Sequence, residues 1–190
     1  MAAQAVPVAT KEATGIDSRD EGFPFPPKKH SEDIEKGKAM NPVLLEILPQ
    51  IRAGMCCSQL LAALALQVRG DENTVWLRAA RGLCHGVGQS GGPCGLLGGG
   101  AMILAYLSGQ GNEPHPMLEA MCNDYAEWFY GACADFGGYG CEQISAGLMR
   151  QAGAVSDDGK PDMQVCGELL ARCWGTVLEI LENYNVDMAG

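Results

Sequence analysis

Residues 115–137 read HPMLEAMCNDYAEWFYGACADFG. Leu118, Met121, Cys122, Tyr125, Trp128 and Phe129 recur every three or four positions, the period of one face of an α-helix. Glu119, Asp124 and Glu127 take the polar side and read as a solvated face. A half-buried strand would alternate with period two, and the stretch does not. The helical period returns on both sides of it. NPVLLEILPQIRAG (residues 41–54) puts Val43, Leu44, Ile47 and Ile51 on one face, with Asn41 as cap and Pro42 as first helical residue. Pro49 kinks or ends that helix. CCSQLLAALALQVRG stops at Gly70, and ENTVWLRAARGL forms a shorter helix. Pro93 opens a glycine-rich apolar helix that runs to Ser108-Gly109. CEQISAGLMRQ is short, and DMQVCGELLARCWGTVLEILENY closes the chain with Val165, Leu169, Leu170, Cys173, Val177 and Ile180 in phase. With no segment alternating as a strand, the chain reads as an all-α bundle of five to seven helices.

The chain has 190 residues, 47% of them hydrophobic, enough for one core. Lys and Arg total 13 against 23 Asp and Glu, a net charge of −10. That balance repels phosphate backbones and anionic lipid, and no basic stripe offsets it, so no nucleic-acid or membrane partner is expected. The longest apolar run, residues 96–107, is too short and too glycine-rich to span a bilayer. MAAQAVPVATKEATGIDSRDEG lacks the basic and then apolar regions of a secretory signal, and the expected location is cytoplasmic. Residues 1–39 include GFPFPPKKHSEDIEKGK and show no apolar period. They read as an extended or disordered tail ahead of a helical domain, residues 40–190.

Nine cysteines stand in the chain. In a reducing compartment they are expected as free thiols, metal ligands or redox groups, and an odd number cannot all pair within one chain. Cys56 and Cys57 open the second helix. Cys94 follows Gly-Gly-Pro, Cys141 follows Gly-Gly-Tyr-Gly, and Cys166 lies in the first turns of the last helix. Unpaired N–H groups and the positive end of the dipole favour thiolate there, and thiolate is both the nucleophile and the metal ligand. Cys94 reads as the attacking thiol because its glycine lead-in offers access. Cys122, Cys133 and Cys173 read as small hydrophobes inside helices. Cys173 follows Cys166 by two turns on one face and is placed to approach the same site. Cys84 and His85, in a glycine-rich loop, and Cys56 are further candidates.

No C-x-x-C pair is present, so a shared site has to converge from separate helices of the bundle. Two chemistries are open. One is thiol/disulfide exchange or electron transfer, with a redox partner protein or a small thiol/disulfide substrate. The other is a zinc or iron–sulfur centre held by Cys57, Cys94, Cys141 and Cys166 without catalysis of its own. A third possibility is a helical partner protein whose thiols are incidental.

Cys57-Ser58-Gln59 and its apolar helix resemble the opening of the C-GCAxxG-C-C proteins. GLCHGVGQSGGPCGLLGGGAMILAYLSG (residues 82–109) is similar to that family's glycine-rich turn, motif cysteine and following helix. Phe136-Gly137 through Cys141 and Gly147, and then Cys166-Gly167-Glu168-Leu169-Leu170, resemble its later segments. The resemblance spans residues 41–183 and implies redox activity at four family cysteines: Cys57, Cys94, Cys141 and Cys166, with Cys56 the alternative to Cys57. Pro93 replaces the motif glycine and Gly95 the motif alanine, while Gly98 keeps the motif glycine. The split-Soret cytochromes contain a related region and bind haem covalently. This chain has no C-x-x-C-H, because position 81 is Arg, so no covalent c-type haem is expected.

Two further patterns have plainer explanations. Gly86 to Gly91 match G-x-G-x-x-G, but TVWLRAARGL before them is helical, and a dinucleotide site needs a strand there. Gly98, Gly99 and Gly100 cost a helix roughly 1 kcal/mol each against alanine, which points to close packing. If that helix is exposed, it also offers a homodimer surface. His30 and His115 sit beside prolines and carry no assigned role.

Overall fold

Asn41 accepts a hydrogen bond from the Val43 amide at 3.0 Å, and with Pro42 next to it α1 (Pro42–Glu46) begins as the sequence implies. The computed structural model describes residues 41–152 and 166–187. The N-terminal tail and Val165 lie outside the described residues. Helical geometry breaks at Ile47, and α2 (Leu48–Arg52) restarts with Pro49 in its first turn. α3 (Cys57–Arg69) ends on Gly70, left-handed at φ 63°. Asn73 caps α4 (Thr74–Ala80), which passes into a 3₁₀ turn, Arg81–Leu83. The one-turn α5 (Cys84–Val87) contains left-handed backbone at His85 and Gly86. Then come α6 (Gly95–Ser108), α7 (Leu118–Ala132) with a 3₁₀ turn at Ala134–Phe136, α8 (Cys141–Ala152) and α9 (Gly167–Asn183).

Five of these, α3, α6, α7, α8 and α9, have twelve residues or more and carry the bundle. The described residues contain no strand, only isolated bridges. No helix among them is long and apolar enough to cross a membrane. The segment before G-x-G-x-x-G is helix and 3₁₀ turn, as read.

α6 is apolar all round, and such a helix belongs inside. It packs against α3, α7 and α9. Leu96, Ile103, Leu104 and Leu107 meet Leu61 and Leu64 of α3, Met121, Tyr125 and Phe129 of α7, and Leu169 and Val177 of α9 in one core. Arg69 donates to the carbonyls of Leu107 and Gly109 at 2.8 and 3.2 Å, closing the far end of α6. Tyr184 donates to Asp124 at 2.8 Å, so one residue of the polar face ties α7 to the end of α9.

The glycine-rich helix is therefore not the exposed surface that a homodimer would use. Gly95, Gly99 and Gly100 are buried. Gly100 lies flat against the Tyr125 ring, where no Cβ fits. A Cβ on Gly95 would come within 2.8 Å of the Leu83 carbonyl oxygen. The glycines let α7 and the Leu83 turn reach the α6 backbone.

Candidate functional site

Four helices begin at one place, and each brings a cysteine. Cys56 caps α3 and Cys57 is its first residue; Cys94 caps α6; Cys141 opens α8; Cys166 caps α9. The backbone sets two of these side by side. Pro93 and Gly140 form an antiparallel bridge. The Cys94 amide donates to Tyr139 at 3.2 Å, and the Cys141 amide donates to Gly92 at 2.7 Å. The glycine lead-ins let the two turns lie against each other.

The helix starts enclose a cavity of about 20 Å³, room for about one water. Cys56, Cys57, Cys84, Cys94, Cys141 and Cys166 line it, joined by Ser58, His85, Gly95 and Ile144. The four sequence-derived candidates thus meet, and three of the further ones, Cys56, Cys84 and His85, meet them. Cys173 does not line the cavity. It packs behind Cys94, fully buried against the Tyr125 hydroxyl and near Cys133. A larger open cleft of about 850 Å³, beside Arg69, Asp71, Tyr106 and Glu113, contains no cysteine.

Two of the wall residues are bonded to each other. Cys56 and Cys84 form a disulfide with Cα atoms 5.8 Å apart, in the usual range. The other seven cysteines stand outside this disulfide. The sequence offered no signal for this pair, which is separated by 28 residues. Below the bond sits Ser58, fully buried. Its hydroxyl donates to the Ala80 carbonyl at 2.9 Å and lies 3.3 Å from the Cys56 sulfur and 3.7 Å from that of Cys84. Gln59 joins the same segments, donating to the Leu77 carbonyl at 3.0 Å and accepting from the Cys56 amide at 3.3 Å.

A family model described as "Putative redox-active protein (C_GCAxxG_C_C)" matches residues 55–180, about two thirds of the chain. The chain belongs to the C-GCAxxG-C-C family. The matched region contains all nine cysteines and the start of every helix that meets at the cavity. No curated protein and no solved structure matches the chain. Where the C-GCAxxG-C-C motif has alanine, Gly95 stands against the Leu83 carbonyl with no room for a methyl group.

The thiols of this C-GCAxxG-C-C site differ from the helix-start expectation in one respect. The pKa values of Cys57, Cys94 and Cys141 are raised, not lowered. Cys94 is pushed up to about 12, first by burial; the Leu96 amide at the start of α6 hydrogen-bonds it and pulls the other way, and Cys141, Cys166 and Cys133 add to the rise. Cys57 is raised well above the usual thiol value by its hydrogen bond to Cys166, then by burial, then by the neighbouring sulfurs. Burial also raises Cys141, with Cys166 adding to it. Burial can shift a group by about 3–5 units, whereas a helix terminus supplies about 0.3–2 kcal/mol, on the order of one unit at most. Desolvation wins. Cys94 is only 6% exposed, so the access expected of it as the attacking thiol is not there. Cys57 and Cys141 are partly exposed.

Among the described residues, no group of three or more His, Cys, Asp or Glu side chains is placed to hold a metal ion. The zinc or iron–sulfur reading gains no support from this donor arrangement. The arrangement does offer sulfur next to sulfur: one disulfide and four thiols around a space that holds at most a water.

Proposed function

We propose that this protein carries out thiol–disulfide redox chemistry, with Cys56–Cys84 as the exchanging disulfide and Cys57, Cys94, Cys141 and Cys166 as the thiols that exchange with it. One observation carries this reading: the disulfide and the four thiols line the same cavity. Oxidation then passes inward over short distances. A cavity thiolate attacks the Cys84 sulfur, the Cys56–Cys84 bond breaks, and the electron pair leaves on Cys56. A second cavity thiol displaces Cys84 from the mixed disulfide. Cys56 and Cys84 end as thiols, one inner disulfide is formed, and the electron count of the protein is unchanged. Cys57 and Cys166, already hydrogen-bonded, are the natural inner pair.

Cys56 suits the leaving role. It caps a 13-residue helix whose N-terminus favours an anion. Attack requires a thiolate, so raised thiol pKa values make the inward step slow at neutral pH and faster as pH rises. We place the protein in the cytoplasm. Only two of its nine described cysteines share a disulfide, as suits a reducing compartment, and a disulfide there is usually transient and chemically active.

The test is a redox titration. The full chain is equilibrated anaerobically in buffers of graded dithiol-to-disulfide ratio, quenched in acid, alkylated and mapped. Cys56 and Cys84 are expected to titrate together as a reversible two-electron couple while the protein stays folded. A bond that opens only on unfolding would contradict the proposal.

A further inference from the structure

The Cys56–Cys84 disulfide has a second face. On the side away from the thiols it walls an outer cleft of about 190 Å³. Arg81, His85 and Gln89 supply the other side chains there. Gly54 and Gly88 complete the lining, with nothing within 4 Å of where their Cβ atoms would stand. Among the described residues no carboxylate lines the cleft, although the chain carries a net charge of −10. Arg81 is exposed, and among the described residues its guanidinium has no hydrogen-bond or ion-pair partner. His85 reaches both the outer cleft and the inner cavity from a left-handed backbone at φ 53°. A cation without a partner beside a disulfide, in a space below the ~300–1,000 Å³ of sites for drug-sized ligands, selects a small and negatively charged reactant.

Resting on the redox reading above, we propose that the outer cleft binds a small anionic thiol, its carboxylate held by Arg81, and that this thiol reduces Cys56–Cys84 from outside. The thiolate of one molecule attacks the Cys84 sulfur, forming a mixed disulfide. The Cys56–Cys84 bond breaks, and Cys56 takes the electron pair and then a proton. The thiolate of a second molecule attacks the small-molecule sulfur of the mixed disulfide and releases Cys84. Two small thiols become one small disulfide, and Cys56 and Cys84 gain two electrons and two protons. The cleft is then the entry for electrons that the inner thiols exchange.

The test compares 3-mercaptopropionate, 2-mercaptoethanol and cysteamine, which carry negative, zero and positive charge beside the thiol. Rate constants for reduction of Cys56–Cys84 in the oxidised full chain are divided by those for an uncharged small-molecule disulfide, which removes intrinsic thiol reactivity. At low salt the normalised rate for mercaptopropionate is expected to exceed that for mercaptoethanol about fivefold, the factor for two unit charges about 4 Å apart in water. Cysteamine is expected to fall below both, and the differences to shrink at high salt. Arg81→Gln removes the preference, Arg81→Lys keeps it, and Arg78→Gln, outside the cleft, leaves it unchanged. Equal normalised rates in the unaltered chain, or a preference that survives Arg81→Gln, overturn the cleft proposal and leave the redox reading standing. Failure of all three thiols to reduce the bond in the folded protein overturns both.

Discussion

The amide of Cys141 donates to the carbonyl of Gly92 at 2.7 Å, so the turn that starts α8 is tied to the turn that starts α6. The cysteines at these two helix starts are thus brought together by backbone, independently of sulfur chemistry. A Cβ on Gly140 would approach the Gly91 carbonyl oxygen to 2.8 Å and collide with the Gln143 side chain. Gly140→Ala is expected to cost about 1–3 kcal/mol in urea unfolding, the usual range for overpacking. It should also slow bridging of Cys94 and Cys141 by a bifunctional arsenical. If neither quantity moves, the tie does not set the site.

Gly98 and Gly100 separate two reasons for glycine in one helix. The Tyr125 ring occupies the place of a Gly100 side chain, and its hydroxyl donates to Leu96 at 2.8 Å. Gly100→Ala therefore forces a buried ring to move, and a loss of about 3 kcal/mol is expected. A Cβ on Gly98 meets only the Leu83 side chain at 3.6 Å, an ordinary contact. Gly98→Ala should stabilise by up to about 1 kcal/mol through helix propensity. Urea midpoints at unchanged m-values check both, and equal effects at the two positions would refute the distinction.

That contrast shows what the sequence held and what it did not. The run of glycines signalled close packing but not which glycine faces Tyr125, since that depends on where α7 crosses. Helix boundaries were legible because Asn41 and Pro42 at a start and Gly70 at an end act within a turn of themselves. The cysteines at helix starts were legible for the same local reason. The Cys56–Cys84 bond was not, because its partners meet only after α3 and the Arg81–Leu83 turn have packed through Ser58 and Gln59. The thiol pKa values were misread because the sequence shows the helix terminus and hides the burial. Cys173 shares a helix face with Cys166, yet two turns of α9 carry it past the cavity to Tyr125.

Burial leaves a mark on alkaline stability. The Cys94 and Cys173 thiols are pushed up to about 12, in each case first by burial. An unfolded chain ionises these thiols near pH 9, while the folded chain keeps their protons, so the folded state binds more protons in between. Their contribution is fully present below about pH 9 and is lost as pH rises toward 12, by up to about 1.4 kcal/mol per pH unit for each thiol. Urea midpoints through this window should fall less steeply in Cys173→Ala than in the unaltered chain. Parallel curves would show that Cys173 is not held neutral by the fold.

Strain beside the disulfide is also measurable. His85, Val87 and Gln89 all have positive φ, and Val87, at 58°, is β-branched and 52% exposed. Left-handed backbone costs a residue with a Cβ about 1–2 kcal/mol, and glycine gives back about 0.5–1 kcal/mol through its freedom when unfolded. Val87→Gly is therefore expected to stabilise the protein by up to about 1.5 kcal/mol in thermal or urea unfolding. Destabilisation would mean that the valine side chain contributes more than its backbone costs.

The most direct test of exchange between the disulfide and the inner thiols is to add one equivalent of a disulfide-forming oxidant to the anaerobically reduced chain, quench in acid and map the bonds. Cys56–Cys84 is expected as the main product. In Cys84→Ser the same oxidant is expected to yield a disulfide within one chain among Cys57, Cys94, Cys141 and Cys166. If that variant stays reduced, or forms only bonds between chains through the partly exposed Cys122, the cavity is a packing of inert thiols and the proposed chemistry is wrong.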